Sequence, residues 1–195
     1  MNLPLNTSIT LLTNYRTGST AFCDFVSKKY NLINLDEVFH PQQNNTTRYV
    51  STINQKVMIK IMPDHFDHVM VAQALSKSYV IALSRNDFFA QVSSFYVCHM
   101  TKHWHDLKLT KRKDNYSVPI DALEIENTIN YVVEMQKKYR HLAKCYSQQE
   151  FVFEDIVPFF EQSKFNEYHK PDNYIEIYNI VKNKLLDKQL NTIVD

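Results

Sequence analysis

The stretch that decides the fold runs from Ser8 to Thr20 and reads SITLLTNYRTGST. Ser8 to Asn14 is a short β-leaning run bounded by polar residues, which predicts a strand. Ser19 to Tyr30 has apolar side chains at helical spacing and predicts a helix. Asn14 to Gly18 lies between them and predicts a tight turn. A strand, a turn and a helix in this order are typical of an α/β protein.

The turn carries groups that suit an anion. The first amides of a helix have no partner within the helix, and the helix dipole adds partial positive charge there. Arg16 supplies a full charge, and Gly18 lets the backbone approach a ligand closely. Hydroxyl donors come from Thr17, Ser19 and Thr20. The turn therefore predicts a phosphate cradle, although a helix capped by Ser19 with a solvated Arg16 would use the same residues.

Gly18 is the single glycine in 195 residues, whereas average usage is roughly 7%. A chain that keeps one glycine at this turn indicates a place where a side chain is forbidden. Either the backbone takes a positive φ there, or a phosphate lies against the Cα with no room for a methyl group. We favour the phosphate contact, because the hydroxyl residues around Gly18 are donors suited to an anion.

The rest of the chain alternates between strand-like and helical segments. Strands are predicted over 56–61, 78–84 and 150–153, helices over 63–75, 87–103, 120–145 and 172–190, and loop over 31–54. This alternation predicts one α/β domain over 1–195, with a parallel sheet covered by helices. Such sheets bind ligands at the carboxyl ends of their strands, which indicates 14–20, the loop after Ile61 and 84–93.

A second polar group follows the strand over 78–84. Arg85 lies at the end of that strand, and Ser93 lies two helical turns further along the chain. One interpretation pairs Arg85 with Asp87 and makes Ser93 a packing residue. In the other interpretation Arg85 and Ser93 both bind a phosphate, since a planar guanidinium can hold phosphate through two hydrogen bonds.

These two segments resemble a known family. Arg-Thr-Gly-Ser-Thr at 16–20 is similar to the 5′-phosphosulfate loop of sulfotransferases, although Tyr15 stands where that family usually has proline. LSRNDFFAQVSSFY at 83–96 resembles the segment in which the family holds the 3′-phosphate with an arginine and a serine eight residues later. Within the family, the two motifs are most similar to those of bacterial carbohydrate sulfotransferases of the trehalose type. The resemblance implies a P-loop-like fold that binds 3′-phosphoadenosine 5′-phosphosulfate (PAPS).

The resemblance also implies which residues bind the phosphates of PAPS. By this resemblance the loop residues bind the 5′-phosphate, and Arg85 and Ser93 bind the 3′-phosphate. The loop residues concerned are Arg16, Thr17, Gly18, Ser19 and Thr20. PAPS is a co-substrate in this interpretation, its product is adenosine 3′,5′-bisphosphate (PAP), and no metal is required.

Glu37 and Lys60 are the candidate catalytic residues. Glu37 resembles the acidic residue that deprotonates the acceptor hydroxyl in the family, while Asp36 and His40 compete for that role. A solvated Glu37 carboxylate is the alternative. Lys60 lies among apolar residues of a predicted strand, where a lysine needs a partner. It either meets the transferred sulfonate or neutralises a carboxylate at the edge of the core.

Two other classes of function share parts of this pattern. A nucleotide kinase or NTPase needs a loop lysine and a magnesium-binding carboxylate, and this loop has Arg16 instead of lysine. A non-catalytic nucleotide-binding module would keep the fold without the base. His99, His103 and His105 lack the spacing of a recognised metal signature, so a polar helix end is expected there rather than a metal site.

The composition and the net charge limit which classes of binding partner are expected. The formal net charge is +1, so the chain has no global field that would attract nucleic acid or an anionic membrane. Three cysteines in no metal-type spacing predict free thiols in a reducing compartment. No targeting or membrane-spanning segment is apparent, and we expect a cytoplasmic protein. The acceptor, a small molecule or a saccharide, and the oligomeric state are left open.

Overall fold

The computed structural model describes residues 3–4, 6–41, 46–52, 54–102, 115–160 and 170–188. In chain order its first elements are β1 (Ser8–Thr13), α1 (Ser19–Tyr30), β2 (Ile33–Asp36), α2 (Thr46–Ser51), β3 (Val57–Ile61), α3 (Val69–Ser76) and β4 (Ser78–Ser84). They are followed by α4 (Phe88–Thr101), α5 (Ala122–Tyr146), β5 (Gln149–Val152), α6 (Phe153–Ile156) and α7 (Tyr174–Asp187). Two 3-10 turns lie at Pro63–His65 and Val157–Phe160.

The strands form one parallel sheet in the order β2-β3-β1-β4-β5. All five carboxyl ends therefore meet at one edge of the sheet. β1 lies in the centre, and its neighbours β3 and β4 bring the loops that follow them beside the turn after β1. This arrangement confirms the predicted α/β class with helices packed on a parallel sheet.

Both faces of the sheet are covered, which explains why its central strands are almost continuously apolar. Ile9 and Leu11 on β1 face α1 and α6. Leu12 faces the other way, toward α3 and the second half of α5. A third cluster joins α4, the first half of α5 and α7, and its members include Phe88, Phe95, Tyr96, Ile129 and Ile177.

The loop predicted over 31–54 is wrong in part, because it contains β2 and α2. β2 is a short edge strand with one fully buried residue, Leu35, so it lacks the apolar run that marks the central strands. The helix predicted from Pro63 is also corrected. Pro63–His65 is a 3-10 turn, and the α-helix begins at Val69. Both corrections concern the edge of the sheet where the candidate site lies.

Further features of the described residues concern the start of α4, the cysteines and the lengths of the helices. Asp87 caps α4, since its carboxylate accepts a hydrogen bond from the Ala90 amide at 2.8 Å. Cys23, Cys98 and Cys145 are free thiols. None of the helices in the described ranges is long and apolar enough to cross a bilayer. His103 and His105 lie outside the described residues.

Candidate functional site

The turn after β1 leaves the start of α1 without a side-chain cap. Gly18 is the N-cap residue, and the first turn contains no acidic side chain. The Ser19 cap is therefore not formed. Thr17 turns inward, where its hydroxyl donates to the Asn14 carbonyl at 3.0 Å and contacts the Thr13 hydroxyl. The first turn of α1 thus has no side-chain cap, and such a helix start is compatible with the predicted phosphate cradle.

Arg16 is held beside this turn in a left-handed backbone conformation with φ 58. Its Nε donates to the hydroxyl of Ser94 on α4 at 2.9 Å. Its carbonyl accepts a hydrogen bond from Nη1 of Arg85 at 3.1 Å. The two arginines predicted from separate segments therefore lie together, which places two guanidinium groups at one edge of the sheet.

Gly18 has both a conformational and a steric reason to be glycine. Its φ is 74, a left-handed value that costs energy for residues with a Cβ. A Cβ built at Gly18 would lie 2.1 Å from the nearest atom of the Phe153 ring. Our preferred explanation, a phosphate against the Cα, is therefore corrected: the positive φ and a protein side chain account for this glycine.

Arg85 belongs to a network that reaches α6. Its guanidinium lies 5.3 Å from the Phe153 ring centroid, and its Nε is 3.8 Å from a Glu154 carboxylate oxygen. Glu154 also accepts hydrogen bonds from the amides of Asn86 and Asp87 at 3.0 and 3.2 Å. The alternative that paired Arg85 with Asp87 is thus not what the structure has, because Asp87 caps α4 instead.

Ser93 is fully buried in the second turn of α4. Its hydroxyl donates to the Phe89 carbonyl at 2.7 Å, within the same helix. The neighbouring Ser94, which the sequence did not single out, is the serine that contacts Arg16. The 3′-phosphate role of Arg85 and Ser93 stays a prediction.

Tyr15, the residue that departs from the family pattern, is anchored by aromatic packing. Its ring lies 5.1 Å from that of Phe95 and 5.8 Å from that of Tyr131. Its hydroxyl is 3.0 Å from the Tyr131 hydroxyl, and Gln91 donates to its carbonyl at 2.7 Å. Burial, followed by a hydrogen bond to Asp64, raises the pKa of Tyr15. These contacts fix the turn without a proline.

Lys60 on β3 joins the phosphate turn to the acidic residues after β2. It is 1% exposed, and Nζ lies 2.7 Å from Asp36, 2.8 Å from Glu37 and 3.0 Å from the Thr20 hydroxyl. Lys60 thus neutralises carboxylates, as one interpretation of the sequence expected, and it also faces the turn after β1. Its role toward a transferred sulfonate stays a prediction. Burial alone would lower the pKa of Lys60, but Glu37 and Asp36 outweigh burial and raise it.

The two carboxylates beside Lys60 differ in environment. Glu37 is buried, so its alternative as a solvated carboxylate is wrong. The Asp36 side chain is 43% exposed, and its backbone is left-handed with φ 51. A strained residue next to a buried ion pair at the carboxyl ends of strands is characteristic of a functional site.

His65, in the 3-10 turn after β3, was missed by the sequence analysis. Its side chain is fully buried, and Nδ1 accepts a hydrogen bond from the Met62 amide at 3.3 Å. Nε2 has no hydrogen-bond partner among the described residues. Desolvation lowers the pKa of His65, which favours the neutral ring. The sequence feature that could have indicated His65 is its position soon after the end of a predicted strand.

Glu37, His40 and His65 each offer one ligand atom, and these atoms lie within 4.8 Å of one another. Such a set could hold a metal ion. The Met62 amide, however, donates to Nδ1 of His65, which leaves the ring hydrogen on Nε2. Metal-binding histidines show the opposite arrangement, in which the second nitrogen donates. The His65 ring is therefore suited to donate a hydrogen bond rather than to bind a metal.

No protein-family model matches the chain, and no curated protein matches it. Among solved structures, retinol dehydratase in complex with androsterone and the inactive cofactor PAP is similar over 97% of this chain and 68% of that chain. The sequence identity is 13% and the TM-score is 0.38. Similarity at this level carries no argument about the ligands or activity of this chain.

Proposed function

We propose that this chain is a sulfotransferase that moves the sulfuryl group of PAPS to a hydroxyl acceptor. The observation that carries the proposal is the convergence of Lys60, Thr20 and Glu37 beside the uncapped start of α1. A cation, a hydroxyl and a buried carboxylate at the end of a phosphate cradle suit the transfer of an anionic group.

The phosphate-binding roles follow from the groups around the turn. The amides at the start of α1, with Thr20 and Arg16, bind the 5′-phosphate, which becomes the leaving group. Arg85 and Ser93 bind the 3′-phosphate; for this, the Ser93 hydroxyl has to leave the Phe89 carbonyl. PAPS supplies an activated sulfuryl group, and the residues of the chain supply alignment and charge.

Two residues act on the reacting atoms. Glu37 accepts the proton of the acceptor hydroxyl as general base. Lys60 offsets the negative charge that develops on the bridging oxygen. Its three N–H groups already have three oxygen partners. The Thr20 hydroxyl is the only uncharged one of these, so we expect Thr20 to move to the phosphate and free one donor of Lys60.

Thermal unfolding with different nucleotides tests the proposal. PAP at about 100 times its dissociation constant should stabilise the protein by roughly 2.7 kcal/mol. ATP with magnesium should stabilise it much less, because ATP lacks the 3′-phosphate that Arg85 and Ser93 are proposed to bind. Equal or greater stabilisation by ATP with magnesium would refute the proposal and favour the nucleotide kinase.

A catalytic measurement separates the enzyme from a binding module with the same fold. PAPS turnover should require Glu37, so Glu37→Gln should lower turnover by about 10²–10⁴-fold while it retains affinity for PAP. Full PAP binding by the native protein with no PAPS turnover under any condition would support the non-catalytic module.

A further inference from the structure

Glu154, in the short helix α6, is bound to the turn between β4 and α4. One of its carboxylate oxygens accepts a hydrogen bond from the Asn86 amide at 3.0 Å, and the other accepts one from the Asp87 amide at 3.2 Å. The oxygen that accepts from Asp87 also lies 3.8 Å from Nε of Arg85. One carboxylate therefore contacts three consecutive residues of the turn that carries Arg85.

The contact between Glu154 and Arg85 is an attraction of charges and not a hydrogen bond. Its length of 3.8 Å exceeds the usual range of about 2.7–3.2 Å for N–H···O bonds. Nε of Arg85 is buried and has no hydrogen-bond partner among the described residues. Because the Glu154 oxygens accept from backbone amides instead, the carboxylate attracts the guanidinium without occupying its donors.

Two further contacts hold the Arg85 guanidinium from other directions. Its centre lies 5.3 Å from the centroid of the Phe153 ring, and Nη1 donates to the Arg16 carbonyl at 3.1 Å. This is the hydrogen bond that Arg85 makes within the described part of the chain, and a guanidinium offers more donors than one bond uses. The orientation of Arg85 is thus restrained while most of its donors stay available to a phosphate.

Glu154 also supplies the negative charge beside Arg85. Asp87 is closer in the sequence, but its carboxylate accepts from the Ala90 amide at 2.8 Å and caps α4. Of the carboxylates in the described ranges, Glu154 is the one paired with Arg85. Arg16 and Arg85 meet at this edge of the sheet, and two cations repel each other before an anion binds. The Glu154 charge offsets that repulsion.

We propose that Glu154 is a positioning residue for the nucleotide: it holds the turn after β4 and orients Arg85 so that the remaining donors of Arg85 meet the 3′-phosphate. This inference rests on the proposed sulfotransferase function. It gives Glu154 no contact with PAPS and no part in the transfer step. A guanidinium that is already oriented loses less conformational freedom on binding, which increases affinity. Glu154 therefore increases selectivity for nucleotides that carry a 3′-phosphate.

Glu154→Gln tests the proposal, because it keeps the shape of the side chain and one acceptor oxygen but removes the charge. It also turns an NH₂ group toward a backbone amide, which that group cannot accept from. Calorimetric titration compares PAP with AMP, which lacks the 3′-phosphate. The dissociation constant of PAP should rise about tenfold, whereas that of AMP should stay within about twofold of the native value.

Two other variants at α6 separate position from charge. Glu154→Asp keeps the charge on a shorter side chain, so its preference for PAP over AMP should lie between those of the native protein and Arg85→Ala. It serves the same comparison if Glu154→Gln does not fold. Asp155→Asn is the matched control, because Asp155 is an exposed carboxylate next in the chain with no partner among the described residues. It should keep the native preference.

A double-mutant cycle shows whether Glu154 acts through Arg85. In the Arg85→Ala background, Glu154→Gln should cause no further loss of the preference for PAP over AMP, because the side chain that it orients is absent. Losses that add in the double variant would overturn the proposal, since Glu154 would then act on the nucleotide by another route.

The titrations also distinguish this inference from the function on which it rests. A native protein that binds PAP no more tightly than AMP would overturn the proposed 3′-phosphate site and the inference together. A native preference for PAP that Glu154→Gln leaves unchanged or increases would overturn the inference alone. Equal losses of PAP and AMP affinity in Glu154→Gln would also overturn it, because a purely structural role of Glu154 affects both nucleotides.

Discussion

Lys60 on β3 donates a hydrogen bond to the hydroxyl of Thr20 in the first turn of α1, over 3.0 Å. The same ammonium pairs with Asp36 and Glu37 at the end of β2. One buried cation thereby connects three segments that are far apart in the sequence. It also brings a lysine to the turn after β1, whose own residues include none.

Replacement of Lys60 tests how much this cation contributes to the free energy of unfolding. Lys60→Met should destabilise the protein by about 3 kcal/mol, because it leaves two neighbouring carboxylates without their partner. The value lies at the low end of the range for buried pairs, since Asp36 is partly exposed to water. Urea unfolding of the native protein and the variant measures the difference.

Lys138→Met is the matched control, because it removes a lysine from a solvent-exposed pair with Glu134 on α5. Its stability should stay close to that of the native protein. Equal effects of the two substitutions would contradict the assigned importance of Lys60.

Gly18→Ala should destabilise the fold by more than 1–2 kcal/mol, roughly the cost of a left-handed residue with a Cβ, because the methyl group also overlaps the Phe153 ring. Phe153→Leu in the same background should relieve part of the overlap, and a double-mutant cycle measures this coupling. A Gly18→Ala variant with native melting temperature and impaired PAP binding would instead restore the phosphate-contact explanation.

The stability of the protein should depend on pH through His65. Its pKa is lowered on folding from the ordinary value of 6.5, so the unfolded chain takes up the proton first as pH falls. This contribution to stability is complete above pH 6.5 and is lost as pH falls through the lowered pKa. Unfolding of the native protein and His65→Phe at several pH values measures it. A stability difference between them that does not vary with pH would contradict the prediction.

Arg85→Ala should reduce the preference for PAP over AMP, which lacks the 3′-phosphate. Removal of one charge-assisted partner costs about 1.5–3 kcal/mol, and Ser93→Ala should act in the same direction. Calorimetric titration of both nucleotides measures the preference. Arg48→Ala is the control, because Arg48 donates to the Asn34 carbonyl in an exposed contact near the far edge of the sheet. A preference that survives both site variants would remove the 3′-phosphate assignment.

The sequence was sufficient for the central part of the fold. β1, β3 and β4 are covered on both faces, so each is an almost continuously apolar run, and such runs are visible in one dimension. The turn from 14 to 18 was equally visible, because arginine, hydroxyl residues and a lone glycine are local properties. Edge strand β2 was not, since four residues with one buried side chain leave no periodic signal.

Some features of the candidate site could likewise be predicted from the sequence, and others could not. The sequence by itself determined the strand–helix turn with its arginine and hydroxyl residues, the strand-end arginine and the candidates Glu37 and Lys60, because residue type and position in a strand–helix unit are local. Only the tertiary structure decided that Lys60 contacts Thr20, Asp36 and Glu37 and that Phe153 covers Gly18. It also decided that His65 is buried, with Nε2 lacking a hydrogen-bond partner within the described part of the chain. These contacts depend on strand order, which brings β2 and β3 beside β1. Strand order arises from the packing of the whole sheet, and no short segment encodes it.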